Sequence, residues 1–242
     1  MKRFVLFILF VCHVCTYAKP ILIGIPEYAP PFVSSSSGGK YFYGFYVDLM
    51  NIICKQIRTP CEYRGMDIGE LYSNLDNGNI DLILVPAPIA STSNGNHIFS
   101  LPYLESRAQF ITTKAHSDIQ AISDLKGKKV GVMKYTLYEA LIEASYHNLF
   151  VLIEFTSVMD MANALTNEEI DAVILTDRVA KYVAYNTPAE LKLVGDKIPL
   201  GNGYGIIALK KNAPLIKKIN SALLKMEEDG SYLNIYNTYF SN

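Results

Sequence analysis

Cys54 and Cys61 stand seven residues apart, and two thiols at that spacing can close a small loop by oxidation. In the chain-entropy picture such a loop contributes roughly 2.5 kcal/mol. Two buried thiols are the alternative. No His or second Cys pair lies near them, so a metal site is not expected. Gly201, Gly203 and Gly205 are spaced like a nucleotide-binding loop. No helical pattern opens after them, so they read as a turn entering a strand. Glu168 and Glu169 are paired carboxylates, and Glu227, Glu228 and Asp229 form an acidic run; both read as solvated faces. His97, His116 and His147 are isolated. There is no phosphate-cradling loop ending in Lys-Ser/Thr, no nucleophile elbow and no His pair at metal-ligand spacing. The chain therefore reads as a non-enzyme, with no catalytic residue, metal or cofactor expected.

The elements that carry these residues follow from periodicity. The chain has 242 residues, long for one core and comfortable for two lobes of about 110 residues each. Lys2 and Arg3 precede an apolar stretch over residues 4–14, and Thr16-Tyr17-Ala18 offers small residues for cleavage. This reads as a secretory signal peptide over residues 1–18, too short to span a bilayer. Cleavage after Ala18 removes Lys2 and Arg3 and takes the net charge from −1 to −3. Such a balance gives no sign of nucleic-acid binding. Export leaves Cys54 and Cys61 as the cysteines of the mature chain, in an oxidising compartment.

Beyond the leader, strand and helix patterns alternate. Strand-like runs cover 21–25, 62–66, 81–85, 109–113, 130–133, 150–155, 172–175, 191–194 and 204–209. Helical spacing covers 45–57, 68–75, 137–146, 178–185, 213–226 and 231–240. Ser157 to Asp160 forms a capping box that opens a helix to Leu165. Alternation of this kind implies largely parallel sheets covered on both faces.

The order of short motifs resembles the periplasmic amino-acid-binding proteins, the solute-binding family 3 of ABC transporters, in its polar and basic branch. The opening run Ile21-Leu22-Ile23-Gly24, then Pro30-Pro31-Phe32, then Gly44-Phe45-Tyr46-Val47-Asp48-Leu49 carries the resemblance. So do the run from Leu75 to Asp81, Phe99-Ser100-Leu101-Pro102-Tyr103, the run from Asp124 to Val132, and the ending from Met226 to Phe240. Glu169-Ile170-Asp171-Ala172-Val173 echoes the Ile80-Asp81 element. The resemblance implies an α/β, two-lobed periplasmic-binding-protein (type II) fold: two mostly parallel sheets flanked by helices and joined by a two-stranded hinge. Lobe one would be 19–108 and 205–242, and lobe two 109–204 with the hinge crossovers. It further implies a monomer in the periplasm that traps a small ligand between the lobes and hands it to an inner-membrane ABC permease. A sensor or partner-binding protein on the same fold is the alternative, and a dehydratase-like enzyme a more distant one. The Cys54/Cys61 spacing resembles the disulfide of the basic-amino-acid binders.

The same resemblance places ligand contacts. Family members clamp an α-carboxylate with an Arg, and the matching position here is Ser93. Small hydroxyl residues that precede it are matched by Val85-Pro86-Ala87-Pro88, and Pro86 and Pro88 cannot donate backbone hydrogen bonds. The aromatic wall falls on Ala29, with Tyr28 adjacent to take its place. Asp177 matches the acid that receives an α-amino group, although Asp also suits a helix N-cap. Thr136 keeps a hydroxyl at a helix opening, where backbone N–H groups favour anions. Lys134 offers a cation, and Ile68 and Met133 match apolar pocket positions. A cleft less polar than the family norm is expected, with an acid kept and the carboxylate clamp lost.

Overall fold

The computed structural model of the chain describes residues 19–36, 41–86, 88–89, 95–134, 136, 138–146, 148–186 and 188–241. The expected leader (1–18), Ala87 and Ser93 lie outside the described residues. The first part of the chain runs β1 (Ile21–Pro26), β2 (Tyr28–Ala29), β3 (Val33–Ser35), β4 (Phe42–Tyr43), α1 (Phe45–Gln56), β5 (Cys61–Met66), α2 (Ile68–Asp76), β6 (Leu82–Ile83) and β7 (His97–Phe99). The middle runs β8 (Arg107–Thr113), β9 (Lys129–Met133), α3 (Tyr138–Ser145), β10 (Val151–Phe155), α4 (Val158–Thr166), β11 (Ala172–Thr176), α5 (Asp177–Asn186) and β12 (Leu191–Pro199). The chain closes with β13 (Ile207–Leu209), α6 (Ala213–Glu228) and α7 (Ser231–Phe240).

Two five-stranded sheets result, ordered β5-β1-β6-β13-β7 and β10-β9-β11-β8-β12. In each, three neighbouring strands are parallel. The fourth is antiparallel to them and the fifth reverses again. Four of five strands in each sheet thus share one direction, as the alternating pattern predicts. Helices cross between the parallel strands because a parallel connection needs a long crossover.

The two sheets share a local device that the repeated Ile-Asp motif encodes. Asp81 accepts a hydrogen bond from the Leu22 N–H at 2.9 Å, and Asp171 accepts one from the Lys129 N–H at 2.7 Å. Each carboxylate ties the start of one strand to the start of its parallel neighbour. The preceding Ile80 and Ile170 are buried under a helix. Gly24 and Gly131 leave them room: a Cβ on Gly131 would stand 2.7 Å from the Ile170 Cδ1.

Between the sheets the chain crosses twice, over residues 100–106 and 200–206. The crossovers pair with each other. Tyr204 N–H donates to the Leu104 carbonyl at 2.8 Å, and Tyr103 N–H to the Tyr204 carbonyl at 2.9 Å. Ser100 and Ser106 add side-chain bonds to the Ile206 and Gly203 N–H groups. The glycine run predicted as a turn lies here, with Gly201 and Gly203 at φ 64° and 89°. A Cβ on Gly203 would meet the Leu104 carbonyl oxygen at 2.8 Å, so only glycine fits the paired crossover without strain.

The first half has an aromatic core. The apolar stripe of α1 buries Phe45, Tyr46, Leu49, Met50 and Ile53, the spacing of one helical face. Phe45 packs against Phe240 at 4.8 Å between ring centroids and against Phe32, Tyr103, Tyr232 and Tyr239 within 6.4 Å. Cys54, on the last turn of α1, forms a disulfide with Cys61 at the start of β5, across a Cα–Cα distance of 6.2 Å. Among the described residues no helix is long and apolar enough to cross a membrane.

Several short elements carry no periodic signal and were not expected: β2, β3 and β4 form a small antiparallel sheet, and β7 lies at the edge of the first large sheet. The predicted strand 204–209 is shorter, because Tyr204 pairs with the crossover rather than with the sheet.

Candidate functional site

A cleft of about 720 Å³ lies where the two sheets face each other. Its walls include the last residues of β1 (Pro26), β5 (Met66), β9 (Met133) and β11 (Thr176). Ligands of open parallel sheets generally bind at such carboxyl ends. The walls are dominated by apolar side chains. Glu27 and Asp67 are its charged lining residues, and no Lys, Arg or His lines it among the described residues.

Five of the residues expected to bind ligand line this cleft: Tyr28, Ile68, Pro86, Met133 and Thr136. Tyr28 stands at the mouth, 46% exposed. Partial burial, and then the nearby Tyr182 and Tyr43, raise its hydroxyl pKa above the usual phenol value. Tyr28 follows β1 and Tyr182 lies on α5, so the two come from opposite halves of the molecule. Thr136 uses its hydroxyl locally: it donates to the Met133 carbonyl at 2.6 Å and accepts from the Tyr138 N–H at 3.4 Å. That capping fixes the opening turn of α3 and engages the hydroxyl's proton within the protein.

Three expected contacts lie elsewhere. Pro88 pairs with Tyr204 at the crossover. Lys134 makes a 2.8 Å ion pair with Glu154 on the neighbouring strand. Asp177 is 3% exposed and does not line the cleft. Its Oδ2 lies 3.2 Å from the Lys197 Nζ, while its Oδ1 is buried with no hydrogen-bond partner among the described residues. Asp177 is also not the helix cap. Thr176 Oγ1 accepts the Val179 N–H at 3.3 Å, and Asp177 is the first helical residue. Its charge suits the positive end of the helix dipole there.

Tyr138 is the residue that sequence reasoning missed. It lines the cleft at 4% exposure, and its hydroxyl has no hydrogen-bond partner among the described residues. Burial first, then Tyr204 and Asp177, raise its pKa far above the phenol range, so it stays protonated. Its position two residues after Thr136 was the available signal, but helical spacing alone does not say which face meets the cleft.

Helix α5 joins the halves. The Arg178 guanidinium lies 4.9 Å from the Phe240 ring centre and 5.5 Å from that of Tyr236, and it donates to the Tyr236 hydroxyl at 3.0 Å. Val179, one residue on, is buried in the core of the first half and lines the cleft as well.

Comparison with known proteins gives one consistent answer. The model of the bacterial extracellular solute-binding proteins, family 3, matches residues 21–242. The crystal structure of an arginine third transport system periplasmic binding protein from Legionella pneumophila superposes with a TM-score of 0.87 at 37% identity, covering 91% of this chain and 99% of that one. An ancestral arginine-binding protein bound to arginine gives 0.82 at 31% identity, over 93% and 99%. The arginine-binding periplasmic protein of Mannheimia haemolytica is 29% identical over 99% of this chain and 98% of its own. With its two matched sheets, its crossovers and a family match over nearly its whole described length, this chain belongs to the bacterial extracellular solute-binding proteins, family 3.

Proposed function

We propose that the chain is exported through a leader cleaved after Ala18, captures a small amino-acid-like solute in its cleft as a monomer, and hands it to an inner-membrane ABC permease. Lobe one is 19–108 with 205–242, lobe two is 109–204, and the paired crossovers are the hinge. It is a solute-binding protein, not an enzyme. One observation carries the capture reading: the cleft takes its walls from the strand ends of both sheets, so a bound solute touches both halves. A ligand moves an open–closed equilibrium only through its differential affinity for the two states, and contact with both halves supplies that difference. Closure also excludes water, which strengthens each polar contact inside.

The named relatives bind arginine, and others bind lysine, ornithine or cystine. In this chain Tyr28, Ile68, Pro86, Met133 and Thr136 are the proposed contacts, with Ala87 and Ser93 beside them in sequence. Asp177 is assigned to its pair with Lys197 instead of to the solute.

The chain has no Trp, so Tyr28→Trp creates a single fluorophore at the mouth. Titrating that variant with a panel of amino acids, amines and small carboxylates should change its emission saturably for at least one compound. Flat emission and an unchanged melting midpoint across the panel would refute capture.

A further inference from the structure

The cleft does not stop at the strand ends. On the side of the second sheet it continues as a branch between α4 and α5, over one face of that sheet. Helix α4 lines it along its whole length, from Val158 at the opening to Thr166 at the far end. Its nine residues span about 13 Å. Along β11 the lining runs from Thr176, at the carboxyl end, back to Val173, roughly 10 Å of strand. Ile111, the register partner of Val173 on β8, lines the same stretch. Val179 and Val183 give the α5 wall, and Pro188, Ala189 and Leu191 follow that helix at the far end.

The branch is apolar because it enters a hydrophobic cluster. Ile111, Met161, Leu165, Val173 and Leu191 all belong to that cluster and all line the branch. No charged side chain lines it among the described residues, since Glu27 and Asp67 stand on the side of the first sheet. At the far end its polar lining residues are Asn163 and Thr166. The Thr166 hydroxyl is turned back onto its own helix, at the Ala162 and Asn163 carbonyls. Met133 and Met161 add unbranched thioether side chains, which adjust to occupants of different shape. Such a branch offers an occupant apolar contact area and few hydrogen bonds, the environment that draws hydrocarbon out of water.

Resting on the capture reading, we infer that the cleft takes an amphiphilic solute: a small polar head between the two sheets and an aliphatic tail laid along α4 in the apolar branch. The tail distinguishes such a solute from arginine, whose side chain ends in a charge.

Calorimetry on the mature chain tests this with L-2-aminohexanoate, L-2-aminooctanoate and L-2-aminodecanoate, and with the six-, eight- and ten-carbon alkylamines and fatty acids as two further heads. In each head series that binds, affinity should rise by up to about fourfold per methylene, and by at least about thirtyfold from the shortest member to the longest. Ala162 is exposed and lines the branch midway along α4, so Ala162→Phe plugs it without disturbing the core. That variant should erase the dependence on tail length, leaving the shortest member's affinity and the melting midpoint of the free protein unchanged. Ala189→Phe, at the far end, should weaken only the ten-carbon compounds. Affinity independent of tail length, or a length dependence that survives both substitutions, would overturn the inference. So would failure of all three series while another compound still shifts the Tyr28→Trp emission. In those cases capture stands and the tail falls. Silence from every compound, in these series and in the panel, would sink both.

Discussion

Phe45→Ala should lower the melting midpoint by about 10 °C, the consequence of losing about 4 kcal/mol in a domain of this size. Phe45 has no exposed surface, and its ring touches aromatic side chains from α1, α7, the first crossover and the Pro30-Pro31-Phe32 turn. Truncation removes the transfer free energy of the ring and leaves a cavity that rigid neighbours fill poorly. The damage should be concentrated in α7, which docks through Phe240 and Tyr239 onto that ring. Hydrogen exchange should show α7 amides losing protection more than those of the second sheet. A midpoint within 2 °C of the parent would mean that the aromatic cluster is not what holds the first half together.

Lys197→Met should destabilise the protein by about 3 kcal/mol, because it strands a buried carboxylate. Asp177 is almost fully buried, and Lys197 is the cation closest to it, with the Arg178 Nε at 4.0 Å. The lysine side chain is 41% exposed, so the lower end of the range for a broken buried pair applies. Asp177→Asn in the same chain removes the stranded charge, and the double variant should recover most of the loss. Urea unfolding of the four proteins gives the coupling directly. Additive effects would remove Lys197 as the partner of Asp177 and return that carboxylate to the candidates for ligand contact.

Sequence legibility varied with the range over which each contact acts. The α1 stripe and the strand–helix alternation were readable because period and cap are local signals; the Ile80-Asp81 and Ile170-Asp171 repeat was readable because the same short motif recurs, although its hydrogen bonds reach back 59 and 42 residues. The small β2–β3–β4 sheet and β7 were not, since strands of two or three residues are too short to show alternation. The cleft was readable at Ile68 and Met133, which end or follow strands in register. The ion pairs of Asp177 with Lys197 and of Lys134 with Glu154 were not readable, because no motif or period marks which lysine or glutamate on a neighbouring strand faces them. Tyr138 was hidden for a related reason: which face of α3 turns inward depends on how β9 and β10 seat that helix.

The crossovers make the same point about motion. Their mutual hydrogen bonds keep the two chain passages together while leaving each sheet a separate rigid layer. Arg178 sets a limit on that freedom, because its contacts with Tyr236 and Phe240 tie α5 to the C-terminal helix.

Solution X-ray scattering of the mature chain, with and without a saturating amount of whichever compound moves the Tyr28→Trp emission, addresses the capture mechanism most directly. The radius of gyration should fall and the pair-distance distribution should narrow when that compound binds. Identical curves with the site demonstrably filled would contradict a cleft that closes on its solute.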